Sequence, residues 1–406
     1  MNILFLTLTK LTSLKDTMVY TDMLHTFEKH GHFVYAICPL EKKDNKESYI
    51  EQEGNIFLLH ANIGGNYFNV GTIEKGFTLL RLEKGYIKGI SEKYADVRFD
   101  LVLYTTPPIT FNNVVEFVKK RDNAMSYLML KDIFPQNAVD MEMMSKHGLK
   151  GILYKYFRMK EKKLYQVSDY IGCMSPANEE YVKKNNPEVD KTKVELSPNS
   201  IIVRDMSVGQ EKRNELRLKY EIPLDKKVFV YGGNLGKPQG IDFLVECLRK
   251  AHDEEALFLI IGDGSDQYKI QEFVDNEKPE NVMLMKRLPK EDYDLLVSSC
   301  DVGLIFLDHR FTIPNFPSRL LSYMQSKIPT LAVTDKATDV GAVIEDGVFG
   351  WWCESNDSNM FVIKVREALD SNLTQLGENG FDYLKSHYDV EDSVNRILAH
   401  IHGCKR

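Results

Sequence analysis

Short apolar runs alternate with amphipathic stretches along almost the whole chain. Residues 2–8, 33–38, 56–59, 100–105, 125–130 and 169–174 are nearly continuous apolar runs of strand length. Between them, apolar residues at three- and four-residue spacing predict helices over about 17–30, 73–94 and 110–121. Gly31 stops the first of these and Asp16 is placed to cap its start. The charged stretch 40–55 reads as a surface loop. In the second half the alternation is cleaner. Strands fall at 227–231, 256–262, 281–285, 301–307 and 329–333, with helices at 240–250, 266–275, 290–299 and 320–326. The tail from 374 to 402 reads as two helices broken at His387-Tyr388. Strands alternating with helices call for mostly parallel sheets. The fold class is therefore α/β. The length of 406 residues suits two α/β domains, 1–200 and 201–387, with Ser197-Pro-Asn-Ser200 as the exit from the first.

Parallel sheets bind ligands beyond the carboxyl ends of their strands. Three such loops in the first half carry polar candidates. Thr9 to Asp16 follows the first strand, Thr105-Thr106 precedes Pro107-Pro108, and Lys131-Asp132 opens the turn that Pro135 rigidifies. Asp132 could orient a sugar hydroxyl or act as a base; the alternative, which the local chemistry favours, is that it caps the following turn. In the second half, Tyr231-Gly-Gly-Asn-Leu-Gly-Lys-Pro-Gln-Gly240 joins a strand to a helix. Glycines let backbone approach a ligand and free amide N–H groups for anions, and Lys237 adds a cation. The spacing matches neither the dinucleotide fingerprint nor the P-loop. Pro317 and Ser318 suit a helix start, and Arg319 lies in its first turn. A cation opposes the helix dipole there, which an anion above it would explain; an ordinary surface arginine is the equal alternative. Arg287, after its strand, is a further candidate for base or phosphate.

Composition narrows the partners. The net charge of -7 argues against a general nucleic-acid binder. The six cysteines are scattered, form no CxxC pair and read as reduced core residues of a cytosolic protein. No His, Cys or Asp cluster has metal-ligand spacing, so no metal and no bound cofactor is expected. The apolar start at 1–8 has no basic leader, and no run is long enough to span a bilayer. One segment departs from the acidic average. Residues 146–163 hold seven Lys/Arg and one Glu, with Leu149, Ile152, Leu153 and Tyr156 at helical spacing. Lys155, Arg158, Lys162 and Lys163 lie among them. A basic, aromatic helix in an acidic chain suits docking on an anionic membrane surface. The alternative is a core helix with a solvated basic back.

The motifs Lys131-Asp-Ile-Phe-Pro-Gln136, Tyr231-Gly-Gly-Asn-Leu-Gly236, Gly262-Asp-Gly264 and Ile313-Pro-Asn-Phe-Pro-Ser-Arg-Leu320 occur in this order. With the run Ser322-Tyr-Met-Gln-Ser-Lys-Ile-Pro329, they make the chain resemble bacterial retaining glycosyltransferases of family 4 over nearly its full length. The likeness is nearest to the group that includes N-acetyl-L-fucosamine transferases of O-antigen and capsule assembly. The resemblance implies a GT-B fold: two Rossmann-like domains facing across a cleft, with the last helix, 388–406, packing back on the first. The second domain would hold a UDP-sugar and the first an undecaprenyl-diphosphate-linked saccharide. The place is the cytoplasmic face of the membrane, peripherally bound. Homo-oligomers and partners in a biosynthetic complex are compatible with this.

By the same resemblance, Gly233, Asn234, Gly236 and Lys237 belong to a diphosphate loop, and Ser318, Arg319 and Leu320 cap the donor. Thr9, Asp16, Thr106 and Lys131 fall on the acceptor side, with Asp132 near the transferred sugar. No metal is implied; cations and helix ends stabilise the leaving diphosphate instead. One departure stands out. Many relatives carry two glutamates, the second holding the ribose; here Pro314 and Ser322 occupy those places. Lys327 also replaces a small residue two places before the proline. Backbone and Arg319 would then have to hold the donor. A nucleotide-sugar 2-epimerase of the same fold, or a non-catalytic partner of another transferase, are the competing readings.

Overall fold

The computed structural model describes residues 1–68 and 70–404, without the side chains of 72, 73, 76, 149 and 402–404. The chain divides into two compact units. One comprises Met1–Ile202 together with Val390–Arg406, the other Val203–Asp389.

The first unit is built on an eight-stranded sheet. Its strands are β1 (Asn2–Leu6), β2 (Phe33–Leu40), β3 (Tyr49–Glu53), β4 (Ile56–Asn62), β5 (Leu101–Thr105), β6 (Met125–Leu130), β7 (Tyr170–Cys173) and β8 (Val194–Leu196). The order is β3-β4-β2-β1-β5-β6-β7-β8, and only the edge strand β3 runs antiparallel to its neighbour. The order reverses between β1 and β5, so the loops after these two strands diverge from a common point. The Thr7 and Thr105 hydroxyls meet there at 3.4 Å. Central strands of such a sheet are buried on both faces, which is why β1 and β5 read as unbroken apolar runs.

Beneath the sheet, helix Val19–Lys29 and the final helix Val390–Cys404 pack side by side. Leu24 and Phe27 from one and Val394 and Ile397 from the other join the same core. Each such side chain contributes about 1.5–3 kcal/mol by burial. The final helix is also pinned by polar contacts: His400 stacks 3.7 Å from Tyr170 and bonds Glu195 at 2.9 Å. Asp16 does not cap the first helix. Met18 takes the cap position and its N–H donates to the Thr21 hydroxyl at 2.9 Å. Gly31 follows the helix at φ +80, as a left-handed stop requires.

The second unit has six parallel strands: β9 (Lys227–Asn234), β10 (Ala256–Asp263), β11 (Val282–Met285), β12 (Val302–Phe306), β13 (Thr330–Thr334) and β14 (Gly350–Glu354). Their order is β11-β10-β9-β12-β13-β14. The switch point lies between β9 and β12. The two diverging loops touch: Asp308 N–H donates to Pro238 O at 3.0 Å. The glycine-rich segment after β9 therefore occupies the position where doubly wound sheets take their ligands. Five of the six cysteines, Cys38, Cys173, Cys247, Cys300 and Cys353, are buried free thiols.

Candidate functional site

In the second unit, β9 ends in Tyr231 and the glycines. The Tyr231 hydroxyl donates to Asn234 O at 2.8 Å, and Asn234 Nδ2 donates to Gln239 Oε1 at 3.0 Å. These bonds tie Asn234 to the strand end on one side and to the turn at Gln239 on the other. Gly233 sits at φ +133, and a Cβ there would lie 3.1 Å from Arg319 Nη2. Gly262 is under a harder constraint, since a Cβ would lie 1.9 Å from Gly233 O. Glycine is needed because the ends of β9 and β10 meet backbone to backbone.

Arg319 is the first residue of helix Arg319–Gln325, and its guanidinium lies 4.5 Å over the Tyr231 ring. The residue is partly exposed, yet its Nη1 is shielded from solvent and has no hydrogen-bond partner. Among the described residues no carboxylate pairs with it. A shielded guanidinium nitrogen without an acceptor is unfavourable, and an incoming anion would relieve it with charge-assisted bonds. The Tyr293 hydroxyl lies buried beside Gly232, next to the Tyr323 hydroxyl. Burial pushes its pKa up to about 12, with Arg319 opposing, so it remains a neutral donor.

Lys237 is exposed in a short 3-10 turn, Lys237–Gln239, and has no partner among the described residues. Arg287 lies on the same side, 3.9 Å from Asp263, whose backbone is in register with Asn234. Ser318 precedes the helix but its hydroxyl makes no cap bond, contrary to expectation. Its backbone is already helical, which turns the side chain away from the free N–H groups. The Leu320 side chain is fully buried, so only its backbone is available to a ligand. Ser322 is partly buried one turn on. Lys327 adopts φ +52, a left-handed conformation where glycine is the easier choice. Ion pairs with Asp205 at 2.9 Å and Glu378 at 3.1 Å hold it there.

In the first unit the Thr106 hydroxyl gathers the next loop. It accepts from Lys131 N–H at 2.9 Å and Asp132 N–H at 3.1 Å. The Asp132 carboxylate accepts from Asn137 Nδ2 at 2.7 and 2.8 Å. Asp132 does not cap helix Gln136–Asp140; Pro135 holds that position. Burial raises the Asp132 pKa to about 6 against the lowering by the Ile133 N–H and Asn137. Lys131 Nζ is sealed from solvent without a partner, and burial lowers its pKa to about 7. Thr9 N–H donates to the Thr7 hydroxyl at 3.0 Å, which places it beside the end of β5. No bond links Asp16 to this group among the described residues. Sequence reading missed Asn137, Tyr231 and Tyr293 as site residues. Tyr231 stood inside a motif; the other two sit on helices like ordinary amphipathic positions.

The basic segment forms helix Gly148–Val167. Phe157 meets Phe134 edge-on at 5.0 Å, tying the helix to the Asp132 loop. Ile152 and Leu153 are exposed and Tyr156 partly so; the Leu149 side chain lies outside the described residues. The charges are less free than expected. Arg158 pairs with Glu161 at 2.6 Å, Lys162 with Glu188 at 2.9 Å and Lys163 with Glu116 at 3.7 Å. Lys155 is exposed and unpaired among the described residues. No described helix is long and apolar enough to cross a membrane. No described group of three or more His, Cys, Asp or Glu side chains could hold a metal ion.

Residues 212–382, most of the second unit, match the family model for glycosyl transferases group 1. A probable glycosyltransferase of Pseudomonas aeruginosa, WbjE, is 24% identical over 74% of each chain. Among solved structures, sucrose-phosphate synthase from Thermosynechococcus elongatus superposes with a TM-score of 0.78 at 13% identity, covering 99% of this chain and 98% of that one. HepE from Anabaena, solved in complex with UDP, superposes with a TM-score of 0.70 at 13% identity, covering 99% and 100%. The architecture is the GT-B fold of two Rossmann-like α/β domains. The chain is related to bacterial glycosyltransferases such as WbjE.

Proposed function

We propose that this chain is a retaining glycosyltransferase. It moves a sugar from a UDP-sugar to an undecaprenyl-diphosphate-linked saccharide in bacterial surface-polysaccharide assembly. The sugar is taken to be N-acetylated, by likeness to the N-acetyl-L-fucosamine transferase group. The observation that carries the reading is Arg319: a shielded cation with no carboxylate, at the strand ends of the unit matched by the glycosyltransferase model. The UDP in the HepE complex supports the choice of nucleotide.

The second unit takes the donor and the first the acceptor. As the bond from the sugar C1 to the β-phosphate oxygen breaks, negative charge grows on the departing diphosphate. Arg319 and Lys237 neutralise it, with the N–H groups of the glycine loop, and no metal is required. An acceptor hydroxyl attacks C1 from the face the diphosphate leaves, and its proton passes to the departing phosphate. Asp132 orients that hydroxyl or the transferred sugar. With Ser322 and Pro314 in place of two glutamates, the donor is held through backbone and Arg319. The protein works peripherally on the cytoplasmic membrane face, docked by helix Gly148–Val167.

The test is UDP release from a panel of UDP-sugars, with and without lipid-linked acceptor, in EDTA. Release that needs both one particular donor and the acceptor, undiminished by EDTA, is expected. Silence with every donor, or a strict need for a divalent metal, would overturn the proposal.

A further inference from the structure

Helix Gly148–Val167 is not the only element that carries exposed apolar side chains. Helix Thr72–Lys93 shows Phe77 at 61% and Leu80 at 58% exposure, against 67% for Ile152 and 50% for Leu153. Nothing in the composition of residues 72–93 singles this helix out.

The two helices flank a third, Asn112–Asp122, and pack on either side of it. Contacts fix which faces they present. Glu83 accepts from Asn113 N–H at 2.7 Å and Asn113 Nδ2 at 2.7 Å, at the very start of the middle helix. Leu80 lies three residues earlier on the same face. On the other side Lys163 reaches Glu116 at 3.7 Å. Ile152, Tyr156 and Lys160 precede Lys163 on one stripe. Lys160 is near enough to Glu83 for its charge to lower the carboxyl pKa against the raising effect of burial. Both outer helices therefore begin well before the middle one does. Each projects ~15 Å past its start at 1.5 Å per residue, with the apolar side chains on the projecting turns.

We propose that the projecting turns of helices Thr72–Lys93 and Gly148–Val167 form one two-pronged docking surface for an anionic bilayer, with Phe77, Leu80, Ile152 and Leu153 entering the acyl boundary. Charge complementarity identifies the partner. Lys84 beside Leu80, and Lys150 and Lys155 beside Ile152 and Leu153, are exposed and have no acidic partner among the described residues. Large apolar side chains rimmed by unpaired lysines are the pattern of a surface that lies in the headgroup layer. Two prongs also fix the orientation of the unit on the membrane, which one helix, free to roll about its axis, does not. The inference rests on the membrane-acceptor reading above and deepens it.

Co-sedimentation with phosphatidylglycerol-containing vesicles, with phosphatidylcholine vesicles as control, separates the possibilities. Wild type is expected to pellet with the anionic vesicles at low salt and to be released at high salt. Phe77→Ser/Leu80→Ser and Ile152→Ser/Leu153→Ser should each bind at least about ten-fold more weakly, since each removes two exposed apolar groups that would enter the acyl boundary. Their melting temperatures should match wild type, because all four side chains are exposed. Phe77→Trp should be quenched by brominated phosphatidylglycerol. If Phe77→Ser/Leu80→Ser pellets like wild type while Ile152→Ser/Leu153→Ser does not, a single helix docks and the second prong is wrong, although the membrane reading stands. If wild type ignores anionic vesicles, both fall, and transfer to a soluble acceptor then measures the enzyme activity separately.

Discussion

The guanidinium of Arg319 lies 4.5 Å over the ring of Tyr231, and no described carboxylate shares it. The ring is the last bulky residue of β9 before the glycines, so strand and helix together aim the cation at the loop. A cation over an aromatic face contributes about 1 kcal/mol or more when desolvated. Tyr231→Leu should therefore raise KM for the donor by roughly five- to ten-fold. Tyr231→Phe keeps the face and loses the hydroxyl's contacts with Asn234 O and Arg319, so it should fall between. Steady-state kinetics with varied donor would read this; equal KM for Leu and wild type would show that the stacking is incidental.

Lys237 is exposed and unpartnered, so its removal should leave folding untouched. Lys237→Ala is expected to lose roughly 2–4 kcal/mol of transition-state stabilisation, in kcat rather than in melting temperature. Turnover within a factor of about three of wild type at saturating substrates (~0.6 kcal/mol) would remove it from the diphosphate site.

Asp132 predicts a pH dependence with a defined sign. Its folded pKa, about 6, lies above its ordinary value because burial disfavours the charged form. The ionised side chain thus weakens the fold above pH 6, and that penalty is relieved as pH falls from about 6 toward 3.8. Asp132→Asn should be at least as stable as wild type at pH 8, yet lose most transfer while keeping UDP affinity. In the wild type, transfer should decline as the carboxylate is protonated below about pH 6. Asn137→Leu removes two bonds that favour the carboxylate and should move this limb to higher pH. A limb unmoved in Asn137→Leu would mean another group titrates there.

Arg158 looked, in sequence, like one of the membrane-facing cations. It instead neutralises Glu161, whose side chain is 5% exposed and otherwise bonded to the Tyr165 hydroxyl at 2.8 Å. Arg158→Ala should cost about 3–5 kcal/mol by leaving that carboxylate buried and unpaired. Urea unfolding is the measurement; a loss under ~1 kcal/mol would place Arg158 with ordinary surface pairs.

The α/β fold was legible because parallel strands are buried on both faces and so appear as apolar runs. Where that condition fails, the reading fails. The edge strand Tyr49–Glu53 has no buried residue and passed for a charged loop. The β14 strand, with Trp351 and Trp352 only partly buried at the other sheet's edge, shows no such run. Arg319 could be singled out because a cation at a helix start is locally unfavourable. Tyr293 and Asn137 carry no such conflict; only the folded chain brings them beside Gly232 and Asp132. Lys327 looked like a defect in sequence, but Asp205 and Glu378 hold it in the conformation a glycine would adopt.

Titration calorimetry of UDP and of uridine against wild type and Arg319→Ala tests the central claim most directly. Wild type should bind UDP, and Arg319→Ala should lose about 1.5–3 kcal/mol of that affinity while binding uridine as before. Equal UDP affinity in the two proteins would contradict the assignment of Arg319 to the diphosphate, and with it the donor site described above.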